Sequence, residues 1–349
     1  MSTSRRVLDG RSRASALVVT FIATASFALA ACTSTPAPTA TSPTDAGPPP
    51  TSPEATPAVA DPAERIAFGR FDLGADFSQP PAMWTANSDG SDEQPVGDQR
   101  GWYIEWSPDR THLIFDFTDA NGDAQIATVR LDGSGFTQLT EGPGFNGDPA
   151  YSPDGTVIAY SHSAVAEDHP DFRLEIWVMD ADGSSPRRLV ESGGVGHDWE
   201  PVFSPDGTQI VFTREADSDG TNSAVHVANA DGTDVRALTE FADYVEHPRW
   251  SPDGTTIIYN IETQSSAVDT AVNGIWTVPA AGGESVLLLE SESHRHPFKP
   301  SYSPDGTRIL FGCAVRGAPL EDLCVMNADG SDIRAIITTR EVENHGVWS

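Results

Sequence analysis

The sequence predicts an all-β fold, a six-bladed β-propeller with four antiparallel strands per blade, on three observations. An aromatic-Ser-Pro-Asp-Gly segment returns along the chain at near-regular intervals. A second turn, ending in Gly after an apolar run, returns between its copies. A last copy of the first segment begins at the C-terminus, and the strand that should follow it stands near residue 65. Self-similarity with a period in this range marks folds built by repeating one supersecondary unit.

The first segment reads Trp106-Ser107-Pro108-Asp109-Arg110, then recurs at Tyr151, Phe203, Trp250 and Tyr302, with spacings of 45, 52, 47 and 52 residues. Pro presets φ at the second turn position, Asp bonds locally, and Gly tolerates the exit geometry. A short β-rich run such as Thr208-Gln209-Ile210-Val211-Phe212 follows each copy. The second turn, as in Ile176-Trp177-Val178-Met179-Asp180-Ala181-Asp182-Gly183, has its glycine at Gly90, Gly133, Gly183, Gly232, Gly282 and Gly330, which makes six units. Each unit therefore offers a strand before and after Ser-Pro, one before the second turn, and a last one such as Arg236-Ala237-Leu238-Thr239. Four strands per unit, repeated radially, is a propeller blade.

The termini supply the closure. His345-Gly346-Val347-Trp348-Ser349 opens a sixth segment 46 residues after Tyr302, and Arg65-Ile66-Ala67-Phe68 matches Arg308-Ile309-Leu310-Phe311. One blade is thus expected to take its first strand from the C-terminus and three from the N-terminal side, so that no sheet edge of the ring is left to aggregate. With Ser-Pro-Asp-Gly and Asp-Ala-Asp-Gly signatures over residues 64–349, the chain resembles the TolB-like, WD-like β-propeller family; Arg110 in place of Gly and Pro279-Ala280-Ala281-Gly282 are local departures.

Ahead of the repeats, Arg5, Arg6, Arg11 and Arg13 precede an apolar run from Ala14 to Ala31, the profile of an export signal over residues 1–31. Leu29-Ala30-Ala31-Cys32 resembles a bacterial lipobox, which implies lipidation at Cys32 and a place on the outer face of the cell membrane. Ser4-Arg5-Arg6-Val7-Leu8 resembles a twin-arginine motif, with Asp9 departing from it, so the export route stays open. Residues 32–63 are nearly all Pro, Thr, Ala, Ser and Gly, too poor in apolar surface to fold, and read as a tether.

The net charge is −30 with a pI near 4.4. Removing residues 1–31 leaves 17 basic and 50 acidic residues, or −33, which argues against nucleic acid and anionic lipid surfaces as partners. Cys313 and Cys324 fall on two strands that the repeat pairs as a hairpin, and outside the cytoplasm a disulfide between them is expected.

The Ser-Pro-Asp-Gly and Asp-Gly turns should share one face of the disc, with the irregular loops and seven of the nine histidines on the other. Rigid scaffolds usually bind through such loops. Three residues before each repeat aromatic stand Tyr103, Asp148, Glu200, His247, Lys299 and His345, near the start of the channel-lining strand. Five of the six are followed by Pro or Gly, and together they form a candidate binding ring at the channel mouth. The acids and imidazoles of this ring could serve Zn or Mn, but no tight local ligand spacing supports a metal. A weaker calcium reading falls on Glu215, Asp217 and Asp219, which imitate a carboxylate ladder without the closing Glu. No cofactor is otherwise expected.

No Gly-x-Ser-x-Gly elbow or phosphate-cradling loop is present. The expected function is non-catalytic, binding of an envelope protein or peptide by a monomer, which is what the family resemblance implies. Two alternatives stand beside it. One is carbohydrate or small-ligand binding, with Trp102, Trp199 and Phe298 as stacking residues. The other is a metal-dependent lyase, for which the ring offers only His247 and His345, with His197 or His296 nearby.

Overall fold

The computed structural model describes residues 64–72, 79–167, 169–192, 196–216, 222–242, 244–261, 272–291, 297–314 and 321–349. The signal segment, Cys32 and the tether lie outside the described residues, as do Asp217, Asp219, His294 and His296.

The described elements are all strands. The N-terminal side supplies β1 (Arg65–Phe71), β2 (Ala82–Asn87) and β3 (Gln94–Arg100). Next come β4 (Ile104–Trp106), β5 (His112–Thr118), β6 (Ala124–Arg130) and β7 (Thr137–Gln138), then β8 (Phe145–Tyr151), β9 (Val157–Ser163), β10 (Glu175–Asp180) and β11 (Arg187–Val190). Three further groups follow: β12 (Asp198–Phe203), β13 (Gln209–Glu215), β14 (Ser223–Asn229), β15 (Arg236–Ala237); β16 (Val245–Trp250), β17 (Thr256–Ile261), β18 (Gly274–Pro279), β19 (Val286–Glu290); and β20 (Phe298–Tyr302), β21 (Arg308–Ala314), β22 (Glu321–Asn327), β23 (Arg334–Ile337). The last strand, β24 (Val342–Trp348), pairs antiparallel with β1, so one sheet of order β24-β1-β2-β3 is built from both ends of the repeat region.

The strands form an all-β propeller, but they do not separate into six four-stranded sheets as the repeat alone suggests. Four sheets have four strands each, and a fifth has eight. The eight-stranded sheet arises because Ala124 of β6 bridges Phe145 of β8 in parallel, joining the groups β4–β7 and β8–β11 at a single point. The Ala124 N–H also donates to the Gly144 carbonyl (3.3 Å).

Apolar layers between successive groups carry the packing, and alternation along each strand sends neighbouring side chains to opposite layers. Ile210 and Phe212 of β13 pack back onto Ile176 and Val178. Val211, between them, packs forward onto Ile257 and Tyr259. The last layer joins Leu310, Leu323 and Val325 to Ile66, Phe68 and Trp348. The repeat aromatic also ties neighbours together. The Trp250 indole N–H donates to the Val202 carbonyl (3.0 Å), Trp348 to Ser301 (3.2 Å) and Trp106 to Val347 (3.3 Å).

The turn motif is a closed hydrogen-bond circuit. In the copy at Ser204, the hydroxyl donates to Asp206 (2.6 Å), and the same carboxylate oxygen accepts from the Thr208 amide (3.0 Å) and hydroxyl (2.8 Å). Gly207 holds φ at 70°, and Arg110, which replaces this glycine in the first copy, is forced to 60°. Cys313 and Cys324 form a disulfide between β21 and β22, with Cα atoms 5.8 Å apart.

Candidate functional site

The innermost strands of five units break register at one position, and two residues there face one on the partner strand. Asp148-Pro149 lies opposite Tyr160, Glu200-Pro201 opposite Phe212, His247-Pro248 opposite Tyr259, Lys299-Pro300 opposite Phe311, and His345-Gly346 opposite Phe68. The opposing aromatics are fully buried. The first residue of each bulge is left-handed, with φ of 52°, 56°, 56°, 50° and 54°. Such a backbone costs a non-glycine residue about 1–3 kcal/mol and gathers at functional sites. Tyr103 enters without a bulge, its amide held by Asp116 (3.0 Å).

The bulges and Tyr103 bring all six ring positions to the centre. One small cavity, with room for about one water molecule, is lined by Tyr103, His247, Arg249, Lys299 and His345. A second, smaller still, is lined by Tyr103, Glu105, Asp148, Glu200 and Arg249. The centre is therefore polarised, basic on one side and acidic on the other.

Within the acidic half, Ser161 donates its hydroxyl to Asp148 (2.7 Å) and accepts the Glu200 amide (3.2 Å). Burial, then the charges of Glu200 and Asp116, push the Asp148 carboxyl up to about 7. Burial also pushes Glu200 upward, but His247, Lys299 and Arg249 outweigh it and keep Glu200 ionised. The His247 amide donates to Glu200 as well (2.8 Å), and its imidazole contacts the same carboxylate.

In the basic half, burial lowers His247 to about 4 against the attraction of Glu200, and burial with repulsion from Lys299 lowers His345 well below an ordinary imidazole. Both rings are thereby neutral near pH 7. Lys299 sits over the Tyr103 ring, 4.3 Å from its centroid, and contacts the imidazole of His345. Burial lowers its ammonium to about 8, while Glu200, Asp148 and Glu246 pull it back. Tyr103 also packs edge-on against His345, with centroids 4.8 Å apart.

Several site residues escape a reading of the ring alone. Arg249 reaches Glu105 across the centre (2.6 Å), and both stand one residue before a repeat aromatic. Asp116, Ser161 and Asn260 bond the amides of Tyr103, Glu200 and Lys299. Each directly follows the aromatic of a second strand, so a polar residue closing that apolar run was the signal available in the repeat.

Other expected residues stay apart. Trp102 is core, packed on Phe71 and Val342, while Trp199 joins the Phe145 and Phe172 cluster and approaches His247 at 6.2 Å. The Phe298 ring lies on Gly312, where a Cβ would collide with it. None of the three forms an open stacking platform. Of the calcium reading only Glu215 is described, and it is buried, with its amide bonded to the His197 carbonyl (2.8 Å). Among the described residues no group of three or more His, Cys, Asp or Glu is arranged to hold a metal ion. The central residues do not fit a divalent cation, because Lys299 and Arg249 occupy the half that holds both imidazoles.

A TolB beta propeller domain model matches residues 161–349. An uncharacterised protein of Agrobacterium fabrum is 35% identical over 108 residues, covering 31% of this chain and 33% of the relative. The chain spans a third or less of the length of the curated relatives it matches. Among solved structures, TolB from Acinetobacter baumannii superposes with a TM-score of 0.67 at 19% identity, over 82% of this chain and 66% of that one. An oligogalacturonate lyase from Vibrio parahaemolyticus superposes with a TM-score of 0.51 at 15% identity, over 81% and 75%. At these identities the structures share the fold alone.

Proposed function

The chain belongs to the TolB beta propeller domain family, and from that premise we propose that it is an exported, lipid-anchored, non-catalytic scaffold that binds an envelope protein or peptide at its central channel. The observation that carries this reading is the set of five left-handed, non-glycine residues whose side chains share one polar centre. Strain repeated at one position, where the ionisable group varies among Asp, Glu, His and Lys, suits recognition better than folding. Counting the eight-stranded sheet as two blades joined at the Ala124–Phe145 bridge gives a six-bladed ring closed by β24.

A pull-down from detergent-solubilised envelope tests the reading. Wild type is expected to recover proteins that a variant with Asp148, Glu200, His247 and His345 all changed to Ala does not, at equal melting temperature. Identical recovery by both proteins sinks the channel as the binding site. For the anchor, Cys32→Ala is expected to move the protein from the membrane to the soluble fraction.

A second reading, a polysaccharide lyase, is favoured only by the fold shared with oligogalacturonate lyases. One of those structures is described as a complex with manganese. Calorimetric titration with manganese separates the readings, since binding at the centre supports the lyase and counts against a scaffold whose basic half faces the imidazoles.

A further inference from the structure

The bulge at His345-Gly346 divides β24, the strand that closes the ring, into two halves held in different ways. Beyond the bulge the bonds are neutral. The Ser349 amide donates to the Arg65 carbonyl (2.8 Å), its hydroxyl accepts the Arg65 amide (3.0 Å), and the Trp348 indole donates to the Ser301 carbonyl. Before the bulge, at Val342–Asn344, the tie is charged. Glu343 lies opposite Arg70 of β1, and one oxygen of its fully buried carboxylate accepts from both the Arg70 guanidinium (2.9 Å) and the Thr339 hydroxyl (2.6 Å). The other oxygen, Oε2, is buried and has no hydrogen-bond partner.

Arg70 does not belong to Glu343 alone. It packs over Phe68 and Trp84, bonds Glu93 (2.5 Å) and lies 3.6 Å from Glu341. Asp322 of β22, also buried, repels Glu343. One guanidinium thus serves three carboxylates with a fourth nearby. Glu93 and Glu341 reach water, which screens them, whereas Glu343 does not. A buried acid with a shared cation and an unmet oxygen keeps its proton above the ordinary range, and burial, helped by Asp322, raises Glu343 to about 7 against Thr339 and Arg70.

We propose that Glu343 and Arg70 form a proton-operated clasp on the closing strand: with Glu343 protonated the first half of β24 is held against β1, and when the proton leaves that half loosens. His345, at the bulge, then loosens from Tyr103 and Lys299 with it. On a detached strand Glu343 titrates as an ordinary carboxyl, so the closed strand keeps a proton that the open one gives up between about pH 4.5 and 7. The clasp is full below that window and is lost as pH rises through it. Above it both forms are ionised and nothing further changes. Ring closure therefore responds to pH whatever the channel binds.

Hydrogen exchange of the full chain, read by mass spectrometry, tests this on the segment Val342–Trp348, with β17, which has no carboxylate or imidazole, as the internal reference. After correction for intrinsic exchange rates, wild-type protection of the segment relative to β17 should fall between about pH 5 and 7, by up to roughly tenfold per pH unit. Glu343→Gln, which resembles the protonated acid, should stay flat across the window and be better protected than wild type at about pH 8. Glu93→Gln releases Arg70 to Glu343 and should move the fall to lower pH, a shift that a purely structural carboxyl does not give. The clasp is overturned if wild type is flat, if Glu343→Gln is the less protected protein at about pH 8, which would make the charged pair the tie, or if Glu93→Gln leaves the midpoint in place. Glu93 is part-exposed, so its variant carries the test even where Glu343→Gln does not fold.

Discussion

The turn face and the channel use the same backbone conformation for opposite ends. At the turns, the turn glycine is left-handed in nearly every unit, at φ near 70° in one turn type and between 80° and 91° in the other, and two residues after the glycine of the second type Asp92, Ser185, Asp234 and Asp332 are left-handed as well. The polar side chains beside it are alike and consumed locally, each Asp bonded to its own Ser or Thr neighbours. At the channel, the left-handed residues vary among Asp, Glu, His and Lys, and Glu200, His247, Lys299 and His345 find partners in neighbouring units. Where a repeat serves folding it repeats its chemistry; where it departs from itself over an unchanged backbone, the departure holds the candidate function.

The comparison is broken most severely by giving a turn glycine a side chain. A Cβ on Gly232 would stand 2.1 Å from the Leu189 carbonyl oxygen, with φ at 85°. Left-handed strain of about 1–2 kcal/mol adds to that collision, so Gly232→Ala should lose about 3 kcal/mol in urea unfolding. Gly207→Ala, whose Cβ meets nothing closer than 3.6 Å, should lose only about 1 kcal/mol. Equal losses would mean that neighbour packing at the turns adds nothing.

The two regions should also titrate in opposite directions. Asp109 is held down to about 2 by the Ser107 hydroxyl and by Thr111, so its contribution to stability is present above the ordinary carboxyl range and is lost as pH falls toward 2. Asp148 is pushed up to about 7, so folding binds its proton. Its contribution is full below pH 4 and declines as pH rises to 7. Denaturation midpoints compared pH by pH should therefore show Asp148→Asn gaining on wild type between pH 4 and 7. A difference that stays flat across that window would remove the raised carboxyl. Glu343, also raised to about 7 by burial beside Arg70, titrates in both proteins and cancels from the comparison.

Much of this was legible in the sequence because it repeats. Pro, Asp and Gly fix turn geometry locally, and five copies placed the strands, the closing strand and the six positions that meet at the centre. The bulges were visible only as Pro or Gly after each ring residue. That those residues are left-handed was hidden, since a non-glycine residue at positive φ is set by tertiary packing and not by its own preference. The Arg249–Glu105 pair was equally hidden, because its partners are 144 residues apart and neither type is unusual on a strand. The parallel bridge at Ala124 depends on how closely two neighbouring groups approach, which no local motif encodes.

A smaller effect tests whether the turn circuit acts as a unit. Ser204 is buried, donates to Asp206 and accepts the Gln209 amide (2.9 Å). Ser204→Ala should cost about 1–2 kcal/mol, and Thr208→Val, which removes only the hydroxyl donor at the exposed side, less than that. Losses of similar size would show that Asp206 accepts independently from each donor.

The smallest effect is the most telling about the channel. His345 stands at φ 54°, so His345→Gly relieves backbone strain while removing the contacts to Tyr103 and Lys299. Relief of about 1 kcal/mol should nearly balance the lost packing, leaving stability within about 1 kcal/mol of wild type. If the ring exists for recognition, ligand or partner binding falls although the fold is untouched. If its members only satisfy one another at the rim, stability falls by well over 1 kcal/mol and binding follows stability. Equilibrium unfolding and the envelope pull-down, done on the same preparation, separate the two.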